Sequence, residues 1–158
     1  AGSGSNYTSA VCYRRGSGQM LDMNYTADHI GTGTASSITA SGALLDGARK
    51  LFRGTIDFKR GAKQAVGTES EDVLLIGEDT VNQTIPLILC AEEDVQGSHG
   101  ASIGRLDEET LFYLGSRGID RERAQQLLID ARVEAVSGLI PDEELKAAIR
   151  GRLGERNE

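Results

Sequence analysis

Between Met20 and Leu106 the chain is a succession of short extended segments with almost no hairpin signals between them. "MLDMNYTA", "SSITASGALL", "KLFRGTIDFK", "VLLIGED" and "TIPLILC" are each rich in β-branched or bulky apolar residues. Gly, Asp, Asn or Thr separates them, as strand-and-turn sequence requires. The chain holds 20 glycines, which suits frequent tight corners. Only "LLDGARKLF" sets an Asp-Gly pair between apolar runs, so antiparallel hairpins have little support. "KLFRGTIDF" partly alternates, whereas "VLLI" and "IPLIL" are continuous and suit strands covered on both faces. Many strands with few hairpins leave two architectures: a β-sandwich or barrel, or a solenoid whose rungs stack. The echo Gly47-Ala48-Arg49 and Gly61-Ala62-Lys63 leans toward the solenoid, and the residues alone leave both open.

After Arg105 the pattern becomes helical. Asp107 is placed to cap a helix with Glu108 and Glu109 in its first turn, ending near Gly118. Asp120 caps a second, whose expected apolar face is Ala124, Leu127, Leu128, Ala131 and Ala135, closed by Gly138. A third starts at Pro141, with acids first and arginines last. The division expected is a β body over residues 1–105 and a helical region over 106–158. The opening "AGSGSNYTSA" enters mid-pattern, as the body of a longer chain cut on its N-terminal side would.

The net charge of −7 and the absence of Trp disfavour nucleic acid as a partner, because phosphate and base contacts need clustered cations and aromatic platforms. No run is long and apolar enough to span a membrane and no secretory leader is visible, so a cytoplasmic protein is expected. Cys12 and Cys90 are too few for a disulfide framework. The sequons at Asn6, Asn24 and Asn82 read as incidental.

Catalytic signatures are incomplete. There is no P-loop, "GTGTAS" at Gly31 lacks the third glycine of a dinucleotide fingerprint, and no nucleophile elbow lies between strand and helix. No Cys-x-x-Cys or His-x-x-x-His pair suggests a closed zinc site. What remains is a loose set within ten residues: Cys90, Glu92, Glu93, Asp94 and His99. These are ligand types that iron accepts, but the same text also reads as an acidic turn after a buried cysteine. His29 reads as a structural or surface histidine.

Three segments, "ARKLFRGTIDFKRGAKQAVG", "LLIGEDTVNQTIPLILC" and "HGASIGRLDEETLFYLGSRGI", resemble in order the SufB/SufD family of iron–sulfur cluster assembly proteins. The likeness runs from about Leu21 to Val136, and "QGSHGASIG" with "LFYLGSRGI" is more similar to SufD than to SufB. The resemblance implies a right-handed parallel β-helix followed by a helical C-terminal region. It implies a non-catalytic scaffold that pairs through its β-helix with a SufB-like subunit and docks a SufC-like ATPase through its helices. Iron or a transient iron–sulfur cluster would be handled at the subunit interface, with none held tightly by this chain alone. His99 matches the family histidine implicated in cluster assembly and is the first candidate ligand, shared with the partner. Cys90 is the second, and is expected to be a buried thiol of "IPLILC". The cysteine that receives sulfur in SufB falls at Glu71, and the glutamate after its histidine falls at Gly100, so a lone chain is not expected to hold a cluster.

Two other classes are open. A β-helical carbohydrate-active enzyme would use acids such as Asp22, Asp28, Asp57 and Asp72, although no spacing pairs two of them on adjacent rungs. A plain homodimerisation module would pair exposed edge rungs of two copies, and the isolated chain is expected to be a homodimer.

Overall fold

The computed structural model describes residues 2–154. Its elements are β1 (Asn6–Arg15), β2 (Met20–His29), β3 (Ala35–Leu44), β4 (Arg49–Phe58), β5 (Ala65–Leu75), β6 (Val81–Cys90), β7 (Val95–Arg105), α1 (Glu108–Ser116), α2 (Arg121–Ser137) and α3 (Glu143–Gly154). Odd strands form one sheet in the order β1-β3-β5-β7, and even strands a second in the order β2-β4-β6. All pairings are parallel. Asn6 stacks on Ala35, Ala35 on Val66, and Ala65 on Val95, so one coil takes roughly 30 residues, within the period range of solenoids. The chain is therefore a β-solenoid of about three coils, and the sandwich alternative is set aside.

The corners explain the sequence echo. Gly47 and Gly61 both turn with positive φ, 73° and 94°, a conformation that a Cβ disfavours. Each is followed by an alanine, Ala48 or Ala62, that is fully buried as the chain re-enters the wall. The two corners lie at opposite ends of β4, so the echo marks successive corners of one coil rather than a full period.

Between corners the side chains alternate. In β4, Lys50, Phe52, Gly54, Ile56 and Phe58 point inward and are buried, while Arg49, Leu51, Arg53, Thr55 and Asp57 do not reach the core. The same alternation runs through β5, where Ala65, Gly67, Glu69, Glu71 and Val73 face the lumen. Three segments outside the quoted strand text are thus strands: β1, the polar first half of β5, "AVGTESED", and the glycine- and serine-rich β7.

Of the two continuous apolar runs, only one behaves as expected. "VLLI" is covered on both faces, with Val73 in the lumen and Leu74 and Ile76 beneath α2. "IPLIL" is not. It lies in β6, the edge of its sheet, and Ile85, Leu87 and Leu89 are exposed at 53, 45 and 42%. Cys90 ends this strand and is exposed, which corrects the buried thiol expected there: no further coil covers it.

The first two helices begin where anticipated, and the third begins at Glu143 rather than Pro141, with Asp142 accepting from the Leu145 amide at 3.0 Å. Asp107 accepts a hydrogen bond from the Thr110 amide at 2.7 Å and Asp120 one from the Arg123 amide at 2.8 Å, each satisfying a free N–H of a first turn. Gly138 caps α2. The buried face of α2 differs from the expected stripe: Ala124, Ile129, Val133, Val136 and Ser137 are buried, whereas Leu127, Ala131 and Ala135 are exposed. Ile129 and Val133 pack on Ala43, Leu74 and Ile76, so the coil wall selects which of two apolar stripes turns inward. Arg132 adds an ion pair to Asp72 at 3.5 Å. Among the described residues no helix is long and apolar enough to cross a membrane.

The packing predicts that Ile129→Ala destabilises the chain by about 2–5 kcal/mol in denaturant unfolding, the usual range for emptying a filled apolar site. Leu127→Ala, two residues away on the exposed face, should change stability by less than about 0.5 kcal/mol.

Candidate functional site

The lumen of a short β-solenoid should be apolar, yet its centre here is ionic. Lys50 from β4 and Glu71 from β5 point into it from opposite sheets and form an ion pair whose side chains are fully buried. Tyr13 from β1 donates to a Glu71 oxygen at 3.3 Å, and Thr84 from β6 donates to the other. Lys50 Nζ also lies 5.5 Å from the Tyr13 ring centre and 5.6 Å from that of Phe52, so its charge meets two aromatic faces as well as a carboxylate. Burial pushes the Lys50 pKa down, and the Glu71 carboxylate pushes it back up. Burial, and then the Glu71 charge, pushes the Tyr13 hydroxyl well above its ordinary range, so it stays protonated, donating to Glu71 while its oxygen accepts from Lys50 Nζ at 3.5 Å. Glu71 is thus saturated with partners.

Glu69, two residues earlier on the same inward face, is not. It is 2% exposed, and neither carboxylate oxygen has a hydrogen-bond partner among the described residues. Gly54 gives it room: a Cβ there would stand 2.2–2.4 Å from the Glu69 carboxylate, far inside contact distance. Desolvation raises the Glu69 pKa, with His99 acting in the opposite direction. His99 is the register partner of Glu69 on the next coil, and its Nδ1 lies 3.6 Å from Glu69 Oε1. The imidazole belongs to the last coil, whose inward positions have no further rung above them, and its side chain is 26% exposed. His99 therefore closes the lumen from the outside while Glu69 lies beneath it.

The other members of the anticipated ligand set do not converge on His99. Cys90 stacks on Phe58 and His99 on Glu69, in different columns of different sheets. Glu92 is engaged at the corner, accepting from the Gly61 amide at 3.0 Å and the Glu93 amide at 3.1 Å, and these bonds hold its pKa down. Among the described residues no three His, Cys, Asp or Glu side chains gather at one point. Sequence proximity misled here because an extended strand moves about 3.3 Å per residue, carrying His99 well past the corner. His29 is a structural histidine: it is buried, its ring nitrogens lie 2.7 Å from the Thr34 hydroxyl and 2.8 Å from that of Ser36, and it packs on Phe58 at 4.7 Å.

One acidic pair was missed. Asp28 and Asp57 are register partners on adjacent coils, contrary to the spacing expectation. They lie on the outer face, and Lys59 bridges them, 3.6 Å from Asp28 and in direct contact with Asp57. Asp22 is paired with Arg53. Carboxylates paired with cations in this way on an open wall lack the enclosure that glycoside hydrolysis uses.

Sequence reasoning also missed Glu69 as the register neighbour of His99. The signal was available in the alternation Ala65, Gly67, Glu69, Glu71, Val73, combined with a coil period that sets residue 69 beneath residue 99.

Removing one partner of a buried ion pair leaves an uncompensated charge. Lys50→Met should therefore lower unfolding stability by about 3–5 kcal/mol, and adding Glu71→Met should recover much of the loss in a double-mutant comparison. For Glu69 the folded-state pKa is raised, so the folded protein holds this proton more tightly than the unfolded chain does. Its contribution to stability is greatest below the ordinary carboxylate range and declines as pH rises through that range to the raised value. Stability curves of wild type and Glu69→Gln should accordingly converge in acid and separate toward neutral pH, with the variant the more stable.

Residues 1–132 match the family described as SUF system FeS cluster assembly, SufBD core domain. The chain is 37% identical over 111 residues to the iron–sulfur cluster assembly protein SufD of Escherichia coli K12, an alignment covering 70% of this chain and 26% of that relative. It is 34% identical over 125 residues to SufD of Bacillus subtilis 168, covering 78% of this chain and 29% of the relative. A SufBD family protein of Staphylococcus saprophyticus is 30% identical over 128 residues, with 81% of this chain and 28% of the relative aligned. The chain thus spans less than a third of the length of these relatives. A parallel β-solenoid with a histidine at its open coil, family residues matched over 1–132, and relatives named SufD aligned over most of its length together identify it: the chain belongs to the SufB/SufD family of iron–sulfur cluster assembly proteins.

Proposed function

We propose that this chain is a non-catalytic scaffold subunit of the SUF machinery. Residues 1–105 pair with a SufB-like subunit through the open coil, and residues 106–158 dock a SufC-like ATPase. The observation that carries this reading is the character of the last coil. Its outer row on β6 is Ile85, Leu87 and Leu89, all exposed, where the corresponding rows on the preceding coils are polar: Asn24, Thr26 and Asp28 on β2, and Arg53, Thr55 and Asp57 on β4. Ile103 on β7, in the column of the inward Val73, is 52% exposed at the open end. Unpaired strand edges rimmed by apolar side chains are what a second solenoid would cover. Separate support comes from the helices, where Phe112 is 80% exposed, Leu139 66% and Tyr113 57%. These are large apolar groups of the kind buried at the centres of protein interfaces.

In this reading iron or a nascent cluster is cargo at the interface, and His99 is the ligand this chain offers. Imidazole is a good iron ligand, and at the open end it can share a cargo ion with groups of the partner. Cys90, exposed on the same coil, is the subordinate candidate. Glu71 stands where the SufB sulfur-receiving cysteine falls by resemblance. It is buried among Lys50, Tyr13 and Thr84, which supports a structural rather than a sulfur-handling role. A second reading, a homodimerisation module, rests on the same apolar row, which in the isolated chain can pair with a second copy.

The test is association measured by light scattering on mixtures with SufB-like and SufC-like proteins. Leu87→Asp should abolish SufB-like pairing and self-association, and Phe112→Ala should weaken ATPase docking while leaving the pairing intact. Anaerobic cluster reconstitution on the assembled complex should give a lower yield with His99→Ala than with wild type. Failure of folded wild-type chain to bind either protein would remove the scaffold reading, and unchanged cluster yield would return His99 to a structural role.

A further inference from the structure

Glu69 is an unexplained expense in this lumen. A buried carboxylate without a partner is among the more unfavourable groups a core can hold, and Lys50, the cation in the lumen, is already engaged by Glu71. The backbone nonetheless makes a place for it, since Gly54 is the residue whose missing side chain the carboxylate fills.

We propose that Glu69 and His99 form a half-site for a divalent first-row transition-metal cation at the open end of the lumen, completed by water or by groups of a second molecule. This rests on the reading of His99 as a metal-handling residue and extends it, adding a second ligand from the neighbouring coil of the same chain.

The geometry carries the proposal. The 3.6 Å between His99 Nδ1 and Glu69 Oε1 is too long for a hydrogen bond, which needs about 3.2 Å or less. It suits two ligands of one ion: bonds of about 2.1 Å each, opened to roughly the tetrahedral angle, put nitrogen and oxygen near that separation. The pair is also preorganised. Glu69 and His99 are register partners fixed by the β5–β7 ladder, and the carboxylate is confined between the wall and Gly54. Both Glu69 oxygens are free to coordinate, and imidazole with carboxylate is a donor set that iron, manganese, cobalt and zinc accept. Among the described residues no third His, Cys, Asp or Glu joins them, so water or a second molecule supplies the remaining ligands, and such a site holds an ion it can also release.

The experiment is anaerobic titration of the chain with Co²⁺ alone, followed by ligand-field absorption and equilibrium dialysis. Wild type should take up one Co²⁺. His99→Ala and Glu69→Gln should each weaken uptake by about tenfold or more, and Cys90→Ser should leave it unchanged. Gln preserves the shape of Glu69 and removes a buried charge, so the variant keeps its fold, which circular dichroism checks. Imidazole NMR of wild type reads the site without any variant: of the two histidines, Co²⁺ should perturb His99 and not the enclosed His29. No uptake by wild type, equal affinity in Glu69→Gln, or perturbation of His29 in place of His99 overturns the half-site. Binding to SufB-like and SufC-like proteins is measured on the same samples. Loss of wild-type binding there counts against the scaffold reading only, and the Co²⁺ result decides the half-site by itself.

Discussion

Parallel hydrogen bonding between successive coils is the constraint on which the rest of this molecule depends. Once Asn6 stacks on Ala35 and Ala65 on Val95, every inward side chain is set above the inward side chain of the coil before it. Columns rather than local sequence then decide what touches what. Lys50 meets Glu71 although they belong to different sheets, and Glu69 meets His99 although 30 residues separate them. A wall built this way has an end, and the end is chemically different from the middle. Interior rungs bury both backbone and side chains, whereas the last rung leaves its inward groups exposed. His99 and Cys90 are accessible for that reason, and for no property of their own.

The lumen divides its polar groups into two kinds. Glu71, Lys50, Tyr13 and Thr84 satisfy one another, and such a closed network fixes the relative placement of both sheets at the price of desolvating two charges. Glu69 stands outside that network, held by Gly54 and facing the one histidine at the open end. A carboxylate without a hydrogen-bond partner in the folded chain is better understood through what approaches from outside.

The helices complete the body without closing it. α2 covers the outer face of the wall over Ala43, Leu74 and Ile76, on the sheet that also carries Glu69 and Glu71. The apolar groups left on α1 and after α2, Phe112 and Leu139, lie outside that contact. Two separate surfaces, the open coil and the helical face, therefore expose large apolar groups at once.

Helix caps and corners were legible in the sequence because they are local: Asp107, Asp120 and Gly138 act within one turn of their own residue, and glycine at Gly47 and Gly61 answers a single backbone angle. The parallel solenoid was legible only in part. Missing hairpin signals kept it open, resemblance to a family favoured it, and the coil period was obscured because the visible echo marked neighbouring corners. The polar start of β5 carried no strand signal of its own because charged residues rarely face a core, and nothing nearby announces that Lys50, Tyr13 and Thr84 will receive Glu71. The face of α2 and the exposure of Cys90 were likewise undetermined, since each depends on which surface lies opposite. Local chemistry thus settled where the first two helices begin and that the chain before them is strand and turn. Only the stacking of coils decided which residues share a column, because register is a relation between segments about one coil apart and leaves no mark within either.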